Sequence, residues 1–206
     1  GDEKKLNALK GETMAVIALC QFDLTRCFGY PYTKDKGASL GAPLIDHLVG
    51  TYENPPRSTV AQAYDFIIET LEEAVTLMSE EKNNGRMNKY AARALLARIY
   101  LYHDDNRKAF DLADQLIKDA DTSGSYALYP HEKYVAAWSV EAKFGSESFF
   151  EIANSVDDTP GRDSWGYLLN WYGYQKGFVT QKYAEQMLAD PGDVRGQLLE
   201  ENKYAG

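Results

Sequence analysis

The chain has 206 residues, 22 Lys+Arg against 31 Asp+Glu, and a formal net charge of −9; it is 44% hydrophobic and 13% aromatic, with 15 tyrosines. An ordinary apolar fraction rich in aromatics excludes intrinsic disorder, and this length can bury a sizeable core. An acidic chain repels phosphates, which argues against a nucleic-acid partner.

In chain order, the first predicted helix covers Glu3–Phe28. Leu6, Leu9, Thr13, Val16, Ile17, Cys20, Leu24 and Cys27 recur every three or four residues and predict one buried face. Gly29 and Pro31 end it. Cys20 and Cys27 stand about 10 Å apart along that face, too far to form a disulfide, and read as small buried apolar residues. The apolar run Thr13–Phe22 stops at Asp23, short of the ~20 residues a membrane span needs. Gly1–Lys5 leads into no signal-peptide core.

A long irregular segment, Tyr30–Pro56, follows. It carries Gly37, Gly41, Pro43, Gly50, Pro55 and Pro56, with Tyr30, Tyr32 and Tyr52. Loops of this length are often functional, although the same rings could simply pin the loop to the body. Thr59 and Gln62 form a capping-box pair for a second helix. Its stripe is Val60, Ala63, Tyr64, Ile67, Leu71, Ala74, Val75 and Met78, and Lys82-Asn83-Asn84-Gly85 ends it. A third helix over Asn88–His103 and a fourth over Arg107–Asp119 are joined by Asp104-Asp105-Asn106. So short a turn predicts an antiparallel hairpin. Leu96, Ala97, Tyr100 and Ala109 fall at tetratricopeptide spacing, while Ala113 and Leu116 depart from it. The expected fold is therefore mainly α, with antiparallel helical hairpins of tetratricopeptide type and long irregular loops.

Beyond Gly124 the pattern is mixed. Tyr126–Tyr129 reads as extended, Lys133–Trp138 as one or two helical turns, and Ser148–Ile152 as a short strand. Asp157–Gly177 reads as a loop and Gln181–Leu188 as a last helix.

Little in the chain points to catalysis. GxSxG, P-loop, GxGxxG and HExxH motifs are absent. The acid pairs Glu72/Glu73, Asp104/Asp105 and Asp157/Asp158 have no apolar setting to perturb them. His47, His103 and His131 are scattered and there is no CxxC, so neither a metal nor a cofactor is expected. Asp190 and Asp193 could in principle hold calcium, but with Pro191-Gly192 and Arg195 they read better as a turn with an ion pair.

Trp165–Tyr174 is more suggestive, with two Trp and three Tyr spaced by Gly166 and Gly173. Sugar C–H faces stack on flat rings, and Asp163, Asn170 and Gln175 can hydrogen-bond hydroxyls. Trp165, Trp171, Tyr172 and Tyr174 are the candidate ligand residues here, with Tyr30 and Tyr32 from the earlier loop. The competing reading packs these rings onto the helices.

The order of segments also resembles a known family. Arg26-Cys27-Phe28-Gly29-Tyr30-Pro31-Tyr32 followed by Leu40-Gly41-Ala42-Pro43 resembles the "R-x-F-G-x-P-Y … L-G-x-P" passage of SusD/RagB-like proteins. Arg57-Ser58-Thr59-Val60, Tyr64-Asp65-Phe66-Ile67 and Leu71-Glu72-Glu73-Ala74 are similar to the next segment. Gly85-Arg86-Met87-Asn88-Lys89-Tyr90-Ala91-Ala92-Arg93-Ala94-Leu95-Leu96-Ala97-Arg98-Ile99-Tyr100 is the most specific passage. Ala109…Ala113, Tyr126-Ala127-Leu128, Glu147–Ile152 and Asp190…Asp193-Val194-Arg195 follow in family order. The resemblance implies a non-catalytic, glycan- or other nutrient-binding lipoprotein at the outer membrane of a Gram-negative bacterium. Its implied partner is a SusC-like TonB-dependent porin, and its only membrane attachment a lipid anchor not carried by these residues. It further implies that residues 1–206 form a single helical repeat domain. This would be a fragment lacking the signal and anchor region and the C-terminal part. A scaffold of tetratricopeptide hairpins without a sugar site is the alternative.

Overall fold

A computed structural model describes residues 2–139, 142–152, 154–155, 157–169, 172–175 and 177–199. The chain divides into two compact units. One comprises Gly1–Ala127 with Ser148–Phe150, and the other Leu128–Glu147 with Glu151–Gly206.

The first unit holds four helices: α1 (Asp2–Phe28), α2 (Val60–Leu77), α3 (Lys89–Tyr102) and α4 (Asn106–Ser123). Between α1 and α2 the chain pairs β1 (Leu40–Pro43) antiparallel with β2 (Arg57–Thr59). Helices α1 and α2 run antiparallel. Gly11 near the start of α1 meets Ala74 and Met78 at the end of α2, and Gly29, just past α1, meets Val60. Helices α3 and α4 also run antiparallel, since Arg93 near the start of α3 pairs with Asp119 near the end of α4 at 2.7 Å. These two hairpins form the mainly α, tetratricopeptide-type architecture.

The bounds of α1 match the sequence pattern, but its buried face does not. Gly11, Ala15, Ala18, Phe22 and Thr25 turn inward. The stripe expected inside faces out, with Leu6 67%, Leu9 50%, Val16 42%, Ile17 42% and Leu24 41% exposed. Cys20 and Cys27 are exposed as well, not buried. Close approach of the helix backbones explains the inversion. A Cβ at Gly11 would stand 2.7 Å from Met78 Cγ and 2.9 Å from the Ala74 carbonyl oxygen. Glycine and alanine therefore let α1 lie on α2 where leucine would hold it off.

Helix α2 follows its expected stripe. Val60, Ala63, Tyr64, Ile67, Leu71 and Ala74 are buried. Thr59 caps it as a complete capping box, with Thr59 Oγ1 accepting from the Gln62 N–H at 3.1 Å and Gln62 Oε1 accepting from the Thr59 N–H at 2.9 Å. It ends at Leu77, earlier than Lys82-Asn83-Asn84-Gly85 predicts. Helix α4 runs further than expected, to Ser123, where Gly124 closes it at φ +66°.

The connection over residues 29–59 is more ordered than a loop of its composition implies. Gly37, at φ +75°, lets the chain fold against the start of α2, and its carbonyl accepts the Ala61 N–H at 2.9 Å. Arg57 donates to the carbonyls of Gly41 (2.7 Å), Leu40 (2.9 Å) and Phe28 (3.3 Å), tying β1 to the end of α1.

Asn88, 5% exposed, begins α3. Its Oδ1 accepts the Ala91 N–H at 3.0 Å, and its Nδ2 donates to the Tyr126 hydroxyl at 2.7 Å. Tyr126, Tyr90, Leu116 and Ala120 form a second small core, against which Phe149 packs. The Tyr126 and Phe149 rings meet edge-on at 4.7 Å. Ser148–Ile152 is not a strand. Instead, Phe149 acts as a single ring inserted into that core.

The second unit contains α5 (Trp165–Leu169), α6 (Gln181–Leu188) and several 3-10 turns. Two of these turns, His131–Lys133 and Ala136–Trp138, occupy the region expected to hold one or two helical turns. Tyr126–Tyr129 forms no strand.

Candidate functional site

The aromatic segment of the second unit is built on α5, a five-residue helix inside what the sequence suggested was loop. A 3-10 turn at Gly161–Asp163 delivers Ser164, whose Oγ accepts the Tyr167 N–H at 3.1 Å and so starts the helix. Trp165 and Leu169, one turn apart, are 77% and 50% exposed. Tyr167 turns inward and gathers the other rings. Tyr174 lies 5.2 Å and Tyr172 6.4 Å from it, both edge-on. The Tyr174 N–H donates to the Tyr167 carbonyl at 2.9 Å, which folds the chain back on itself. Tyr172 and Tyr174 remain 62% and 48% exposed. Trp171 and Asn170 lie outside the described residues.

Tyr167 is the residue that the sequence reading passed over. It was counted among the rings but not placed in the site. The signal for it was Ser164 three residues earlier, the spacing of an N-cap and its partner amide.

Tyr30 and Tyr32 belong to the first unit. Tyr30 is 56% exposed, with Lys34 Nζ 3.0 Å from its ring centre. Tyr32 instead packs inward, 4.2 Å from the His103 ring and 5.6 Å from Tyr64. Burial pushes the Tyr64 phenol up to about 12. In the same unit a groove of about 610 Å³ is lined by Lys4, Lys5, Glu12, Arg86 and Asn88 among others. It offers mixed charge and no flat ring for stacking.

Asp190 and Asp193 form a turn closed by an ion pair. The Gly192 N–H donates to Asp190 Oδ1 at 2.9 Å. Asp193 accepts the Arg195 N–H at 3.0 Å and its guanidinium at 2.6–3.0 Å. The Arg195 side chain, then its backbone amide, pulls the Asp193 carboxyl down to about 2. A depressed carboxylate steadies the fold above its ordinary range. The contribution of this turn should therefore fade as pH falls below about 4 and be gone below about 2. Carboxyl-carbon NMR titration should show Arg195→Ala returning Asp193 towards its ordinary 3.8. A value still near 2 would credit the backbone amide instead. Among the described residues, no group of three His, Cys, Asp or Glu side chains could hold a metal ion. Nor is any described helix long and apolar enough to cross a membrane.

Residues 1–101 match a SusD-like family model described as starch-binding and associating with the outer membrane. A Bacteroides vulgatus ATCC 8482 structure, named as a sugar-binding protein, aligns at 40% identity and TM-score 0.89 over 97% of this chain and 45% of its own. A SusD superfamily protein from Bacteroides thetaiotaomicron VPI-5482 aligns at 34% identity and TM-score 0.86, over 98% of this chain and 45% of its own. A SusD-like carbohydrate-binding protein from Bacteroides vulgatus ATCC 8482 aligns at 22% identity and TM-score 0.77, over 97% of this chain and 42% of its own, a likeness of fold alone. This chain thus spans less than half the length of each of these structures. No curated protein sequence matches. The family passages in the sequence, the paired hairpins and these alignments agree: the chain belongs to the SusD/RagB-like family.

Proposed function

We propose that this chain is part of a non-catalytic protein that binds oligosaccharides at the outer membrane and hands them to a SusC-like, TonB-dependent porin. The observation that carries the proposal is the exposed ring set of Trp165, Tyr172 and Tyr174 gathered around Tyr167. Flat rings open to water offer stacking area to the C–H faces of sugars, while the phenol groups supply hydrogen bonds at the rim. The sugar-binding name of the 40%-identical relative supports the same reading. In the whole protein a lipid anchor would hold it at the membrane. Trp165→Ala should weaken binding of the best oligosaccharide in a calorimetric panel by at least about tenfold, equivalent to ~1.4 kcal/mol. The same loss is expected for Trp171→Ala. Unchanged affinity in both variants would assign the rings to packing.

A second reading makes the chain a protein-docking scaffold. It is favoured by Leu101, Phe110 and Ile117, which are 56%, 64% and 67% exposed on the α3–α4 hairpin. Capture of the matched porin by this chain, with no oligosaccharide affinity, would select it.

A further inference from the structure

The outward stripe of α1 is the largest apolar feature that neither reading uses. Leu6, Leu9, Val16, Ile17, Leu24 and Phe28 are 41–67% exposed, and the exposed Cys20 and Cys27 fall in the same row. From Leu6 to Phe28 the row is about 33 Å long at the α-helical rise. Isolated apolar side chains on a surface are normal, but a continuous row of this length marks a contact face.

We propose that this stripe is an internal seam, covered by polypeptide of the same protein that lies outside residues 1–206. Three observations favour this occupant. The opposite face of α1, from Gly11 to Thr25, is already buried in the hairpin with α2, so α1 is apolar on two sides, as a helix between two layers is. The two structures at 40% and 34% identity are matched over only 45% of their length, so each holds more chain outside the matched part than within it. The row also carries two free thiols, and free cysteines are among the most buried of residues in finished proteins.

The test compares residues 1–206 with the product of the complete reading frame, using native thiol labelling by a maleimide. Cys20 and Cys27 should label at least about tenfold more slowly in the longer protein, as expected for groups that open only by local unfolding. Both should label alike once the proteins are denatured. A second variant guards against misfolding. Ile17→Asp should leave the melting temperature of residues 1–206 within about 2 °C and lower that of the longer protein by more than about 4 °C. Equal labelling of both native proteins would overturn the proposal. So would protection of the thiols in residues 1–206 by self-association, which would assign the stripe to a second copy.

Discussion

Phe22→Ala should destabilise the four-helix unit by about 3–5 kcal/mol in urea unfolding, whereas Leu24→Ala, two residues on, should cost less than about 0.5 kcal/mol. Phe22 is 1% exposed. Its ring meets Tyr102 at 5.3 Å and Tyr64 at 6.2 Å, both edge-on, and the Arg26 guanidinium lies 4.9 Å above it. Removing it empties a cavity between α1, α2 and α3 and breaks two aromatic contacts, each worth about 0.5–1.5 kcal/mol beyond area. Leu24 is 41% exposed on the outward stripe. The measurement is informative because periodicity alone predicts the reverse ranking. Equal losses would mean that both faces of α1 are buried in residues 1–206.

Asn88→Ala should cost about 2–4 kcal/mol, combining a lost helix cap with buried groups left unpaired. The amide joins four groups. It caps Ala91, holds the Tyr126 hydroxyl and reaches the carbonyls of Glu80 and Glu81 at 3.4 and 3.3 Å. Burial pushes the Tyr126 phenol up while the Asn88 amide opposes that rise. Asn88→Asp keeps the capping oxygen but turns a carboxylate towards three oxygen atoms. At neutral pH it should be no more stable than the alanine variant. Thermal unfolding of both variants checks this, and a loss below about 0.5 kcal/mol for alanine would remove Asn88 from the stabilising network.

Features written in local chemistry were legible in the sequence. The capping box at Thr59 and Gln62, the α3–α4 turn and the Thr180-capped α6 each depend on residues within a few positions of one another. The buried face of α1 does not. Its leucines and isoleucine outweigh its glycine and alanines in any pattern count, yet the backbone-to-backbone approach to α2 selects the small residues. That preference resides in Ala74 and Met78, more than sixty positions away. The β1–β2 pair was missed for a similar reason, because strands this short are set by a distant partner more than by their own residues. At the candidate site, the clustering of rings was legible but not the role of Tyr167. Hubs and exposed rings have the same composition, and only the fold-back of Tyr174 onto the Tyr167 carbonyl separates them.

The two hairpins close loops of very different length. Helices α3 and α4 are joined by residues 103–105, whereas α1 and α2 are joined by residues 29–59. Loop entropy grows with the logarithm of length, so closing the longer connection costs about 2 kcal/mol more. The three carbonyl bonds of Arg57, the short ladder and the Gly37–Ala61 bond all lie within that connection or at its junction with α2. Together they divide one wide loop into smaller closed rings. The conserved-looking punctuation of that stretch thus has a thermodynamic task of its own, separate from any ligand: it offsets the entropy of bringing α1 back to α2.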